Sequence, residues 1–271
     1  MQKNNAKKKN QPTPVYKPYL KGNPVSALAA KRGLKVLGLI LVFAFFGVLA
    51  SGVFGFDSIV LRVALNGILL LFGAGLMYNE GARQGENDVT FAEIALNRQN
   101  EGKEISKTDR DTCFHPLKGW FTALVGVAPF LLITVVYALI ATRQHYALGA
   151  LPSWVSAYEG QQEIGGALAY YHQGTPAGLE DFLRLGVRLL LFPYMNMLGA
   201  GNYDRLYLLD KLSPLLLLIV PACYGLGYLR GPQLRALVHG NIRMARRRRN
   251  RSERKAREKR AQKTPQKKEL I

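Results

Sequence analysis

The sequence predicts an all-α, polytopic integral membrane bundle of four transmembrane helices with one short re-entrant or interfacial helix. Three observations predict it. Apolar and charged residues are segregated along the chain. Four uncharged runs are long enough to cross a bilayer. Both ends of the chain are strongly basic, and basic ends stay on one side of a membrane.

The chain carries 37 Lys+Arg against 18 Asp+Glu. Met1 to Lys35 holds nine Lys/Arg and no acid, and Arg230 to Ile271 holds sixteen with three acids. The ends thus contribute +9 and +13, and the stretch between them sums to −3. This is a neutral body with two basic tails. The two cysteines, Cys113 and Cys223, fall in a loop and in a span, so they read as reduced thiols acting as small residues.

Runs free of Asp, Glu, Lys and Arg cover Val36–Phe56, Val63–Asn79, Gly119–Thr142, Leu189–Tyr203 and Leu212–Leu229, with 21, 17, 24, 15 and 18 residues. A hydrocarbon core takes about 17–25 residues of helix, and only helices satisfy their own backbone in lipid. Four runs qualify, giving spans at 34–56, 59–79, 119–142 and 212–230. The first is expected to be a span rather than a cleaved signal peptide, because its basic lead exceeds 30 residues and its apolar run exceeds a normal signal core.

Lys/Arg content near the span ends sets the orientation. The tail 1–33 and the loop 80–118, with six Lys/Arg, read as cytoplasmic, and 143–181 of the external segment 143–211, with one, reads as outside. The C-terminal tail 231–271 is the strongest inside signal. Both termini inside demand an even number of crossings, so the short run near Leu189 does not cross. Five spans is the alternative. The expected location is the plasma membrane.

The short helix is expected at 176–199, capped by Thr175-Pro176 and broken at Pro193. Glu180, Arg184 and Arg188 form one stripe on it, with Glu180–Arg184 in the favourable i,i+4 order. Such a stripe either lines a polar cavity or forms a paired, solvated edge at the headgroups, and the second is preferred. Arg62 and Asn66 in span two join it as candidate intramembrane polar residues. Arg62 is expected to snorkel to the outer headgroups. Gly47 with Ser51, Gly73 with Gly75, and Gly227 with Gly231 mark close helix contacts. Trp154, Tyr158, Tyr170, Tyr171 and His172 read as an interfacial aromatic belt.

In the loop, Thr90 and Glu93 fit a capping box over a short helix, Phe91 to Arg98, ended by Gly102. Cys113, His115, Asp109 and Asp111 lack the second Cys/His pair a metal site needs. No metal or cofactor is expected. The N-tail, with Pro12, Pro14 and Pro18, is expected to be disordered to about Asn23, with Asn23-Pro24 starting the first helix.

The C-tail reads as an amphipathic helix on the inner membrane surface, carried by Leu234, Leu237, Val238 and Ile242. A basic run follows: Arg243, Arg246, Arg247, Arg248, Arg249, Arg251, Arg254, Lys255 and Arg257, with Glu253–Arg257 as an ion pair. Near an anionic leaflet each basic residue contributes about 1 kcal/mol, so lipid headgroups are the first expected partner. Ribosome or RNA contact is second, and another membrane protein a further candidate. The tail lacks aromatics for reading bases.

No nucleotide loop, zinc-protease helix or nucleophile elbow occurs. An enzyme is not expected. The preferred reading is an accessory, scaffold or assembly factor, and the alternative is a small-solute transporter or channel subunit.

Overall fold

The computed structural model describes residues 13–54, 56, 58–142, 158, 161, 163–164, 178–199 and 203–263. Eight helices occur among them: α1 (Ala27–Phe54), α2 (Ile59–Asn100), α3 (Lys107–Thr112), α4 (Pro116–Ile140), α5 (Leu179–Leu190), α6 (Phe192–Leu198), α7 (Tyr203–Leu229) and α8 (Gly231–Lys263). The described residues contain no strand. Four helices, α1, α2, α4 and α7, are long and apolar enough to cross a membrane.

The core is built from one face of each span: Val36 and Ile40, Met77, Ala123 and Val127, Leu217 and Val220. The outward faces keep Phe45, Leu71, Leu132 and Leu139 exposed. Hydrocarbon is as apolar as these side chains, so they incur no penalty in lipid. α7 packs on both α2 and α4, and α4 packs on α1. By contrast α1 scarcely touches α2, its neighbour in the chain.

α2 does not stop at the membrane. It runs 42 residues without a break, about 63 Å at helical rise, against a hydrocarbon core of about 30 Å. Its continuation buries Gly85, Asp88, Val89, Ala92, Glu93 and Ala95 at helical spacing. The short capped helix expected at 91–98 is therefore part of one long helix, because tertiary packing on that face carries the helix through. Thr90 is no cap: its hydroxyl donates to the Glu86 carbonyl at 2.9 Å. Gly102, at φ +79°, lies just past its end.

Glycines let α2 and α7 touch backbone to backbone. A Cβ on Gly81 would lie 2.1 Å from the Tyr224 carbonyl oxygen, and one on Gly85 would lie 2.3 Å from that of Tyr228. On the other side, a Cβ on Gly227 would lie 2.0 Å from the Tyr78 carbonyl oxygen, and one on Gly231 would lie 2.3 Å from the Gly85 backbone. Two Gly-x-x-x-Gly stripes, 81/85 and 227/231, thus face each other. The contacts advance together along both helices, so α2 and α7 run parallel.

α7 begins at Tyr203, nine residues before the expected start, and puts Asp210 and Lys211 inside a helix. Residues 203–211 therefore leave the external segment and join the span. Pro214 lies well within it and cannot bond the Asp210 carbonyl. The Ser213 hydroxyl donates to that carbonyl at 2.7 Å instead. The short segment expected at 176–199 is two helices, α5 and α6, divided at Leu191, and Pro193 sits in the first turn of α6. The expected cap at Thr175-Pro176 lies outside the described residues. So do Trp154, Tyr170, Tyr171 and His172, while Tyr158 is exposed.

Residues 13–25 make defined backbone contacts, where disorder was expected to about Asn23; residues 1–12 lie outside the described residues. This segment forms an extended strap. Its N–H groups donate from Val15 to the Ala236 carbonyl, from Leu20 to Ala92 and from Gly22 to Phe114, at 2.9, 3.2 and 2.9 Å. α1 begins three residues later than Pro24, with Ser26 Oγ accepting from the Ala29 N–H at 3.1 Å.

Replacing Gly81 with Leu should destabilise the protein by at least about 1–3 kcal/mol, because the obstructing atom is a backbone carbonyl. Gly75 has nothing within 4 Å of a built Cβ, so Gly75→Ala should leave thermal unfolding in detergent unchanged.

Candidate functional site

Polar residues gather in three places. The first lies at the end of the bundle that bears the strap and α8, here the tail end. Asp88 on α2 is fully buried. Its Oδ2 accepts from Arg32 Nη1 (α1) at 2.8 Å, Lys118 Nζ (α4) at 2.9 Å and Tyr228 Oη (α7) at 2.7 Å. Its Oδ1 accepts from Gln84 Nε2 at 3.2 Å. Lys118 also donates to the Cys113 carbonyl at 3.0 Å. One carboxylate therefore ties all four spans together.

Around it stands a small satellite core of Val89, Phe114 and Tyr228, with Phe114 stacked on Tyr228 at 5.1 Å. The His115 ring nitrogen accepts from the Leu117 N–H at 3.2 Å and caps α4. Burial, with Lys21 and Lys118 nearby, pushes the ring below its usual pKa and keeps that nitrogen free to accept. Burial pushes the Cys113 thiol up, and the thiol donates to the Asp109 carbonyl at 3.2 Å. Asp111 accepts from Asn23, and Asp109 closes a capping box with Ser106. These four residues serve local structure, and none of them converges on a common point.

The second cluster lies at the far end. Arg188 on α5 makes a two-point contact with Asp210 on α7, Nε to Oδ1 at 3.2 Å and Nη2 to Oδ2 at 2.8 Å. Arg184, nearly fully buried, bonds Asp181 at 2.9 Å, Glu180, and the Tyr137 hydroxyl at 3.2 Å. Glu180 in turn accepts from the N–H and hydroxyl of Thr142 at 2.9 and 2.7 Å. Burial alone would raise the Glu180 carboxyl, but these bonds and the Arg184 charge outweigh it and hold it below the usual range. Lys211 donates to the Ala138 carbonyl at 2.8 Å, placing a cation at the C-terminal end of the α4 dipole.

The stripe is thus paired, and its arginines are buried rather than solvated. α5 turns this charged face to the bundle and exposes Leu179, Phe182, Leu185 and Leu189. Arg62 and Asn66 do not join it. Asn66 is buried and donates to the Arg62 carbonyl at 2.8 Å, and Asn196 of α6 approaches it at 3.5 Å. The Arg62 guanidinium packs over Gly199, within 2.7 Å of where a Cβ would stand.

The third place is the basic tail. Arg243, Arg246, Arg247, Arg248, Arg249, Arg251, Arg254, Lys255 and Arg257 are all exposed on α8. At 100° per residue they surround the helix and leave it no apolar face. Glu253 pairs with Arg249 at 2.9 Å, not with Arg257 as expected, since it accepts from the preceding turn. The first part of α8 packs along α2 and the strap. Arg235 at 3.1 Å and His239 at 2.8 Å hold Glu93 of α2, and the strap bonds Ala236. The sequence offset between contacting residues of α2 and α7, 81 with 224 and 85 with 228, persists at 93 with 235 and 239. α8 therefore runs beside α2 in the direction α7 took.

Sequence reasoning missed Asp88, Lys118, Tyr228, Asp210, Tyr137 and Glu93. For Asp88 a signal existed: Gly81, Gly85, Asp88 and Ala92 recur on one helical face. No family model, curated protein or solved structure matches the chain.

Asp88→Asn leaves two cations around a neutral amide and should cost about 3–5 kcal/mol in thermal unfolding in detergent. Arg188→Leu alone should be strongly destabilising, and Arg188→Leu with Asp210→Leu should recover much of the loss, because the pair is removed whole. A double variant no better than the single would show that the pair has no such coupling.

Proposed function

We propose that this protein is a non-enzymatic membrane-anchored scaffold. Its tail end faces the cytoplasm, and its basic helix engages RNA phosphates, as on a ribosome. The observation that carries this reading is the direction of α8. Arg246 lies 16 residues beyond Arg230, about 24 Å along the helix, and Lys263 about 50 Å. The screening length at physiological salt is about 8 Å. Even at the ~40° upper limit of usual helix tilts, Arg246 stands about 18 Å beyond Arg230 along the membrane normal, more than twice that distance. The membrane that anchors the helix is thus electrostatically remote from most of its charge. Charge on all sides, without an apolar face, suits a phosphate-lined surface better than a lipid interface.

Among the described residues the buried Arg62 Nε is the one buried side-chain polar atom without a hydrogen-bond partner, and the transporter alternative draws no support from the two charged clusters. The side chains of the far-end cluster are paired with one another, and the Asp88 group holds helix to helix.

Full-length protein in nanodiscs should cosediment with ribosomes in low salt, and lose about 10³-fold or more in affinity between 50 and 200 mM salt if six or more phosphates are contacted. Deleting residues 246–271 should abolish this binding while leaving flotation with anionic liposomes unchanged. Loss of liposome binding with intact ribosome binding would reverse the assignment. Reporter fusions after Ala150 and after Arg260 should report opposite sides, with the second cytoplasmic.

A further inference from the structure

Between α1 and α2, whose direct contact is slight, lies an apolar groove of about 510 Å³. Its walls include Leu39, Phe46 and Ala50 of α1 and Leu69, Phe72 and Leu76 of α2, and Val220 of α7 lies behind them. The volume falls within the 300–1,000 Å³ usual for ligand sites. Phe46, Phe72 and Leu76 are exposed, so the groove opens sideways, at the level of the hydrocarbon.

The groove is not apolar throughout its stripes. One turn toward the tail end from Leu39 and Leu76, Lys35 of α1 bonds Glu80 of α2. A further turn along, Lys31 and Arg83 occupy the same stripes and are exposed. Three basic residues and one acid leave a net charge of +2 at this mouth. From Leu39 to Ala50 the trough is about 17 Å long at helical rise, close to half of a ~30 Å hydrocarbon core. A partner's transmembrane helix would need the full thickness, and it would meet the charged rung.

We propose that this groove binds one phospholipid of the tail-side leaflet, with an acyl chain between α1 and α2 and an anionic headgroup at Lys31, Lys35 and Arg83. Apolar length, leaflet depth and a positive mouth at one end match the two joined halves of such a molecule.

The test is native mass spectrometry of full-length protein purified in detergent and supplied with phosphatidylglycerol or phosphatidylcholine. Wild type should retain one phosphatidylglycerol per chain, preferred by about tenfold or more, the scale of two uncompensated basic residues at an anionic surface. Ala50→Trp, which fills the trough, should lose both lipids. Lys31→Gln with Lys35→Gln and Arg83→Gln should lose the preference but retain a lipid. If that triple variant does not fold, Arg83→Gln, at an exposed position, carries the readout and should weaken the preference. Unchanged retention in Ala50→Trp overturns the site. An unchanged preference in the charge variants overturns the headgroup assignment. A shift of Ala50→Trp from dimer to monomer, with no lipid retained by wild type, would show that a second copy of this chain fills the groove.

Discussion

The arrangement of this bundle depends on the Asp88 carboxylate. An isolated ionised group inside a protein is costly, and it is stable there only when charge and hydrogen bonds replace water. Asp88 has both, since two cations, a phenol and an amide donate to it. Because the donors come from α1, α4 and α7, satisfying one charge fixes the relative height of four helices. Removing any span would strand part of this set. The glycine contacts between α2 and α7 depend on the same registry, since Gly85 and Tyr228 meet one turn from Asp88. Lys118 extends the tie to the Cys113 carbonyl, and so to the turn that leads into α4.

The far end solves a different problem. Glu180, Asp181 and Asp210 balance Arg184, Arg188 and Lys211, so that cluster is internally neutral. α5 reverses the usual amphipathic arrangement by presenting charge to the bundle and leucines outward. That arrangement is stable only where the outside is apolar, as hydrocarbon is. Ser213 completes the design locally. It takes the carbonyl that Pro214 leaves free, and so lets α7 carry Asp210 to Arg188 without a broken helix.

The spans were legible because uncharged length is a direct requirement of the bilayer. Their number was legible too, since four such helices occur among the described residues. What escaped was everything decided by packing beyond the membrane. Glu80 to Asn100 looks like a polar loop in one dimension, since its helix-forming face is buried by α7, α8 and the strap, all distant in sequence. Gly81 and Gly85 are contact points on this continuous helix. Arg184 and Arg188 were identifiable as a stripe, but Asp210 was hidden in a segment taken for a connection. The strap misled for a similar reason. Its prolines and lysines have the composition of a free tail, while its N–H groups find carbonyls on α2, α8 and the α4 turn.

The basic tail shows most clearly how such placement changes a functional argument. Composition alone favours the nearest polyanion, which is the membrane. On the proposed reading geometry removes that advantage, because α8 is held along α2 by Glu93 and the strap before the arginine run begins. Holding the helix also addresses its own instability. Like charges at i,i+4 spacing oppose helix formation, and a short isolated helix is marginal in water. A packed first half supplies the nucleus, so the charged second half propagates from a turn already formed. On the proposed reading the body of the protein then does more than anchor. It presents a preformed cationic rod at a set distance from the bilayer, and a rigid rod loses less conformational entropy on docking than a free tail of the same charge.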